Sequence, residues 1–163
     1  MMVLVRAITY ASVFIGFVLV FLPERVLSGA GVAGPARIGA SQLAGMALGA
    51  AGGAVAIWCV LSFAVLGRGT PAPFDPPRRL VVRGPYRYVR NPMYLGAGSA
   101  LAGAALFYEA GALWAYTAGF LVLTHLFVVL YEEPTLRQTF GDDYRAYCRQ
   151  VNRWWPTPPE QRG

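Results

Sequence analysis

Long uncharged and largely apolar runs alternate along the chain with short polar segments. The uncharged runs cover residues 7–23, 38–67, 91–108 and 110–131. Each approaches or exceeds the ~18 residues that mark a transmembrane helix, and all are too long for strands. The pattern predicts an all-α fold, a polytopic membrane helical bundle of four transmembrane helices. The first run has the flanks of a signal peptide, with Arg6 before it and small residues around Gly29 to Ala36, but it is long for such a segment and reads as a span. The second carries Gly45, Gly49 and Gly53 at every fourth position, a smooth face for close helix contact. Between the third and fourth, only Glu109 and then Gly111 interrupt the pattern, which predicts a tight helical hairpin with Glu109 in the turn.

Beyond the fourth run the periodicity changes. Phe140, Tyr144, Tyr147 and Val151 share one helical face and Arg145, Arg149 and Arg153 form a second row, so a cytoplasmic amphipathic C-terminal helix is expected on the membrane surface. Trp154 and Trp155 before Pro156 supply an interfacial anchor and a helix stop. With four spans, Arg6, the 68–90 segment and the C-terminal tail fall on one side, and only Arg25 and Arg37 on the other. The excess of positive charge places both termini, and all of the distinctive polar sequence, in the cytoplasm.

Composition narrows the functional classes. The charged fraction of 13% is about half the roughly 25% of a soluble domain. The 163 residues accommodate one domain, 1–163, with 1–67 as a two-helix N-terminal region, so any chemistry sits at the membrane. All 14 basic residues are Arg, which excludes a Lys-based mechanism, and the net charge is +6. These arginines lie between apolar runs, where orientation and lipid head groups account for them, and no nucleic-acid partner is expected. Cys59 and Cys148 lack the spacing of a zinc or cluster site, so no metal is expected and both read as packing residues. Arg without Lys, beside abundant Ala and Gly, suits a GC-rich bacterial genome, and the expected location is the bacterial inner (plasma) membrane.

The segment between the second and third runs, GRGTPAPFDPPRRLVVRGPYRYVRNPMYLG, is rich in chemistry. Pro71, Pro73, Pro76 and Pro77 prevent a continuous helix before Arg78. Arg68, Arg78, Arg79, Arg83, Arg87 and Arg90 alternate with Tyr86, Tyr88 and Tyr94, a composition that suits either the membrane interface or a planar anionic ligand. Pro92 fits the first position of a helix and Asn91 its N-cap, which presents backbone N–H groups at the membrane surface with Tyr94 in the first turn. The fourth run ends in Tyr131-Glu132-Glu133-Pro134, and carboxylates at that depth require partners. Successive helical residues diverge by about 100°, so one carboxylate faces the bundle, expected to be Glu132, while the other faces water or the Arg segment. The single histidine, His125, lies two turns earlier and is expected in a buried hydrogen-bonding role.

Together, RGPYRYVRNPMYLG and YEEPTLRQTFGDDYRAYCRQVNRWWP resemble the isoprenylcysteine carboxyl methyltransferase and phospholipid methyltransferase group of integral membrane enzymes, over residues 78–156. In that group an Arg-His-Pro-x-Tyr motif and a Glu-Glu pair followed by FG(D/E)(D/E)Y form the S-adenosylmethionine site. The resemblance implies a cofactor-binding catalytic region over 68–156, with Arg79, Leu80, Val81, Tyr86, Asn91, Pro92, Met93, Tyr94 and Glu132 at the cofactor. Arg90 and Glu133 are the candidate catalytic residues, Glu133 as the base for an amine acceptor. Asn91 replaces the group's His and cannot titrate near neutral pH. Val128 stands where the isoprenylcysteine enzymes carry a substrate-contacting Arg, which weakens the case for a prenylated-protein acceptor. The expected activity is methyl transfer to a lipid-like or isoprenoid-type acceptor, with membrane lipids and a lipophilic or prenylated molecule as partners. An NADPH-dependent reductase of the sterol-reductase type, whose cofactor phosphates the Arg segment would suit, and a non-catalytic membrane scaffold are the alternatives.

Overall fold

The structure, a computed structural model, describes residues 13, 15–62 and 80–157. Arg79 and the proline-rich stretch before it lie outside the described residues, as do residues 1–12. Among the described residues there is no strand; the chain is a succession of helices. A π-helical stretch, Ile15–Phe21, leads into α1 (Leu22–Gly29), followed by α2 (Ala40–Ser62), a short 3-10 turn (Gly84–Arg87), α3 (Pro92–Tyr108) and α4 (Gly111–Phe127). A second π-helical stretch, Val128–Glu132, joins α4 to α5 (Glu133–Gln150) without a break.

Among the described residues, two helical runs are long and apolar enough to cross a membrane, α2 and the run Gly111–Gln150. Helix α3, at about 1.5 Å per residue, is roughly 25 Å long and by itself falls short of a ~30 Å hydrocarbon layer. It borrows its place from α2, against which it packs more extensively than any other pair of helices described.

Glycine makes that packing possible. A Cβ on Gly45 would lie 2.6 Å from the Gly103 carbonyl oxygen, and one on Gly52 would lie 2.7 Å from the Ala100 nitrogen. From the other side, a Cβ on Gly96 would meet the Gly52 carbonyl at 2.8 Å and one on Gly103 the Gly49 nitrogen at 2.6 Å. The two backbones are in direct antiparallel contact, Gly45 opposite Gly103 and Gly52 opposite Gly96. Such approach maximises dispersion contacts in a solvent that offers no hydrophobic drive. The contacting face differs from the one expected at every fourth residue: Gly45 and Gly52, two turns apart, form it, whereas Gly53 points into open space. Seven residues nearly complete two turns, while eight drift off the contact line.

The α3–α4 hairpin turns at Glu109, as expected, with the left-handed φ of 50° that ends α3. The start of α2 is tied to this turn. Ser41 Oγ donates to Glu109 Oε1, and Gln42 Nε2 donates to the Phe107 carbonyl at 3.3 Å. Near the other end, Ala97, Leu101 and Phe120 form a core onto which Val18 and Leu19 of the first π-helical stretch pack, and the Tyr116 hydroxyl donates to the Val18 carbonyl at 2.8 Å.

Helix α5 occupies the segment expected to form an amphipathic helix, and its aromatic row has a partner within the protein. Tyr144, Tyr147 and Val151 are buried, with Leu80, Leu136 and Phe140 packed against them, so the aromatic row faces the protein interior rather than a lipid surface. Gly141, at φ 52° and ψ −121°, breaks the helix and redirects its second half; any other residue would be strained in this left-handed region.

Adjacent glycines in α2 give a sharp test of this packing. Gly53→Ala, facing open space, should raise stability by about 0.5–1 kcal/mol through helix propensity. Gly52→Ala, driving a methyl into the α3 backbone, should cost about 1–3 kcal/mol. Thermal unfolding in detergent compares the two, and equal effects would contradict the backbone contact.

Candidate functional site

The site grows from a problem of charge. The chain leaves α4 through two consecutive carboxylates, and the π-helical stretch ending at Glu132 sends them to different partners. Glu132 turns toward α3, where the Tyr94 hydroxyl donates to its Oε2 at 3.1 Å. Its Oε1 has no hydrogen-bond donor among the described residues. Glu133, at 3% exposure, turns instead toward the arginines, so the pair divides as expected, with Glu132 on the bundle side.

A carboxylate so buried needs cations, and among the described residues Glu133 has three. Arg153 grips it with both prongs, Nε to Oε1 at 2.7 Å and a terminal nitrogen to Oε2 at 2.9 Å. Arg90 approaches Oε1 at 3.0 Å, and Arg137, one turn further along α5, reaches Oε2 at 3.4 Å. The same Arg90 nitrogen also contacts Cys148 Sγ at 2.8 Å. Arg90 Nε is buried and has no hydrogen-bond partner among the described residues. Three separate segments thus converge on one carboxylate: the residues before α3, the second turn of α5, and the tail.

The tail closes over the segment that precedes α3. The Arg90 N–H donates to the Asn152 carbonyl at 2.9 Å and the Thr157 N–H to the Tyr88 carbonyl at 2.8 Å. The Tyr147 hydroxyl donates to the Tyr86 carbonyl at 2.6 Å. Asn91 occupies the N-cap position of α3, but its side chain does not cap the helix. Its amide instead donates to the Arg153 carbonyl at 3.2 Å, because the returning tail presents that acceptor. The first turn of α3, with Met93 and Tyr94, is thus left without a side-chain cap.

Beneath the tail, Gly84 takes a left-handed φ of 63° and passes so close to Ser62 that a Cβ would lie 2.9 Å from the hydroxyl. This turn drops Pro85 and Tyr86 into the protein. Tyr86 joins Cys59 and Val81 in a buried cluster, with Met93 and Val55 packed on it. Burial, then the hydrogen-bonded Cys59 thiol and the nearby Glu132 and Tyr147, push the Tyr86 phenol well above its ordinary range, so it remains a neutral donor.

Of the residues expected at the cofactor, Val81, Tyr86 and Met93 pack together with Cys59, while Tyr94 bonds Glu132 and packs on the Ala97, Leu101 and Phe120 core; Asn91 and Pro92 are buried at the start of α3. Leu80 lies instead against Tyr144, Tyr147 and Val151 under the tail. Arg79 is outside the described residues. Arg153 and Tyr147, which the sequence shows only as members of helical rows, prove to be what holds the tail down. The one sequence signal for Arg153 was indirect: a buried acid must find cations. His125 does hydrogen-bond, accepting from Trp154 Nε1 at 3.1 Å, but it lies exposed rather than in the core expected. No group of three His, Cys, Asp or Glu side chains among the described residues could hold a metal ion.

Removing one partner of a buried ion pair leaves the other uncompensated, at a cost of about 3–5 kcal/mol. Arg153→Ala and Glu133→Ala should therefore destabilise the protein by that order and release the tail to protease cleavage beyond Gln150. Arg137, 56% exposed, should cost no more than about 1 kcal/mol as Arg137→Ala. Denaturant unfolding with limited proteolysis reads both, and a protected tail in Arg153→Ala would contradict the arrangement.

The chain matches the family model described as phospholipid methyltransferase over residues 40–143, which runs from the start of α2 to within α5 and takes in both the Arg90–Tyr94 segment and the acid pair. No curated protein and no solved structure gives a significant match. The match covers more than half of the chain and embraces the glycine-packed helices together with the Tyr94–Glu132 junction they support. With its apolar helices and this family's character, the protein is a membrane protein of methyltransferase type, and it belongs to the phospholipid methyltransferase family.

Proposed function

We propose that the protein transfers a methyl group from S-adenosylmethionine to a lipid-like or isoprenoid-type acceptor. In this reading the reaction takes place at the cytoplasmic face of a membrane crossed by four spans, with both termini on that face. The observation that carries the reading is the hydrogen bond from Tyr94 to Glu132. It joins the two sequence motifs whose co-occurrence defines the resemblance, although they are 38 residues apart. Residues 1–163 act as one domain, 1–67 bracing the catalytic region 68–156 through the α2–α3 contact.

The donor set suits this cofactor. Its parts are an adenine ring, a ribose diol, an amino-acid group and a sulfonium, and it needs aromatic walls, a carboxylate acceptor and N–H donors. Tyr86, Tyr94, Met93, Pro92 and Val81 would provide the walls, with Asn91, Leu80 and Arg79 in support. Glu132 Oε1 would accept from a hydroxyl or ammonium group. The uncapped N–H groups of Met93 and Tyr94 would serve a carboxylate. The cofactor supplies an activated methyl carbon, transferred by in-line displacement.

The chain's own task is alignment and exclusion of water, which the roof formed by the tail favours. Glu133 is ill placed to accept a proton, since both of its oxygens are occupied by guanidiniums. We assign Glu133 and Arg90 to positioning: they hold the tail and the start of α3 in register. An acceptor carboxylate needs no base. For an amine acceptor, Glu132 is the carboxylate of the pair that carries no guanidinium. Val128, 1% exposed, offers no cation at the position where the isoprenylcysteine enzymes use one, which favours a phospholipid-like acceptor over a prenylcysteine carboxylate.

Calorimetric titration of the detergent-purified protein with S-adenosylhomocysteine should show saturable binding that Glu132→Ala weakens at least tenfold, about 1.4 kcal/mol. NADPH should not compete. Tight NADPH binding without S-adenosylhomocysteine binding would replace this reading with a reductase, and binding of neither by a folded sample would leave a scaffold.

A further inference from the structure

His125 is the single histidine of the chain and takes no part in the site described above. It lies exposed on α4 among Leu121, Val122 and Leu126, which are also exposed. A polar ring on such a face is costly unless it has a partner. Half of its hydrogen-bonding capacity is met by Trp154, whose Nε1 donates to His125 Nδ1 at 3.1 Å, with the rings tilted at 5.9 Å.

Indole nitrogen can only donate, so Nδ1 must accept, and the ring proton resides on Nε2. Trp154 is itself held in place, because the neighbouring Arg153 is locked to Glu133 and receives the Asn91 amide. His125 therefore presents a fixed N–H donor to its surroundings.

Depth identifies what that donor meets. His125 precedes Glu132 by about two turns, roughly 10 Å along the helix axis toward the apolar part of α4. The head-group layer of one leaflet is roughly 5–8 Å thick. With Glu132 at head-group level, His125 lies where head groups give way to hydrocarbon, the level favoured by tryptophan and the level at which a diacyl lipid carries its ester carbonyls. We propose that His125 Nε2–H donates to an ester carbonyl of the acceptor lipid, so that His125 and Trp154 together select a diacyl lipid and set how far its head group reaches toward Tyr94 and Glu132. The proposal rests on the methyl-transfer reading for the identity of the lipid as acceptor, but its central contact can be tested without turnover.

The full-length protein labelled with [15N]histidine carries one labelled ring. Nitrogen NMR in nanodiscs of a diether phospholipid should show a bare Nδ1 and a protonated Nε2. Exchange for the diacyl lipid with the same head group should shift Nε2. A proton on Nδ1, or an Nε2 resonance indifferent to the exchange, overturns the proposal. Trp154→Phe should release the tautomer to a mixture, and a ring unchanged in that variant also overturns it. In turnover assays His125→Phe should raise KM for the diacyl acceptor about fivefold, while S-adenosylhomocysteine affinity and KM for the diether acceptor stay unchanged, and His125→Gln should restore most of the loss. Equal losses with both lipids count against the contact. Failure of S-adenosylhomocysteine to bind at all would overturn methyl transfer and leave the nitrogen spectrum to decide on His125.

Discussion

A buried carboxylate with no cation beside it would be among the most costly features a small helical protein could contain, and the chain is organised so that Glu133 never meets that condition. Its three arginines come from different places: Arg90 from the residues leading into α3, Arg137 from α5 itself, and Arg153 from the tail. Satisfying one side chain obliges the tail to fold back across the start of α3. The backbone bonds from Arg90 to Asn152 and from Thr157 to Tyr88 follow from that return, as does the Asn91 contact with Arg153. The bidentate geometry of Arg153 matters here, since a point charge at the same distance would neutralise the carboxylate without fixing the angle at which the tail arrives.

The clamp would hold nothing useful if α3 were free to slide. Its N-terminus carries Tyr94, and the level of that residue relative to Glu132 is set by how α3 sits on α2. Side chains alone would allow several registers between two apolar helices. Direct backbone contact allows few, because Gly45 and Gly52 must fall opposite Gly103 and Gly96 for the helices to approach. The Ser41 and Gln42 bonds to the α3–α4 turn fix the far end. Register is therefore set by glycine along the helix and by polar contacts at its end, and the position of Tyr94 is their consequence.

These origins explain what could be read from the sequence. Local rules were sufficient for the helical content, for the turn at Glu109 and for the start of α3 at Pro92, because each depends on residues within a few positions of one another. The acid pair and the Arg90–Tyr94 segment stood out because carboxylates and a proline-started helix are anomalous beside apolar runs. Contacts formed by distant segments were not legible. Periodicity marked the Tyr144–Tyr147–Val151 face as apolar but did not say that Leu80, rather than lipid, would cover it. Counting glycines at every fourth residue found the right helix and included Gly53, which faces the wrong way. Adjacent glutamates look alike in sequence, and nothing near Glu133 showed that Arg153, twenty positions further on, would be the residue to grip it.

Asn91 shows how the two levels constrain each other. Its family counterpart is a ring that can titrate, and its replacement would suggest lost chemistry if that position served only as an acid or base. In the structure the side chain at 91 faces the Arg153 carbonyl, a partner that only accepts, so the position needs a donor of the right reach and nothing more. An amide meets that need at every pH. Its cost falls elsewhere: with the side chain turned to the tail, the first turn of α3 has no side-chain cap of its own. Closing the tail and leaving the helix open are thus the same event, since one side chain cannot serve both.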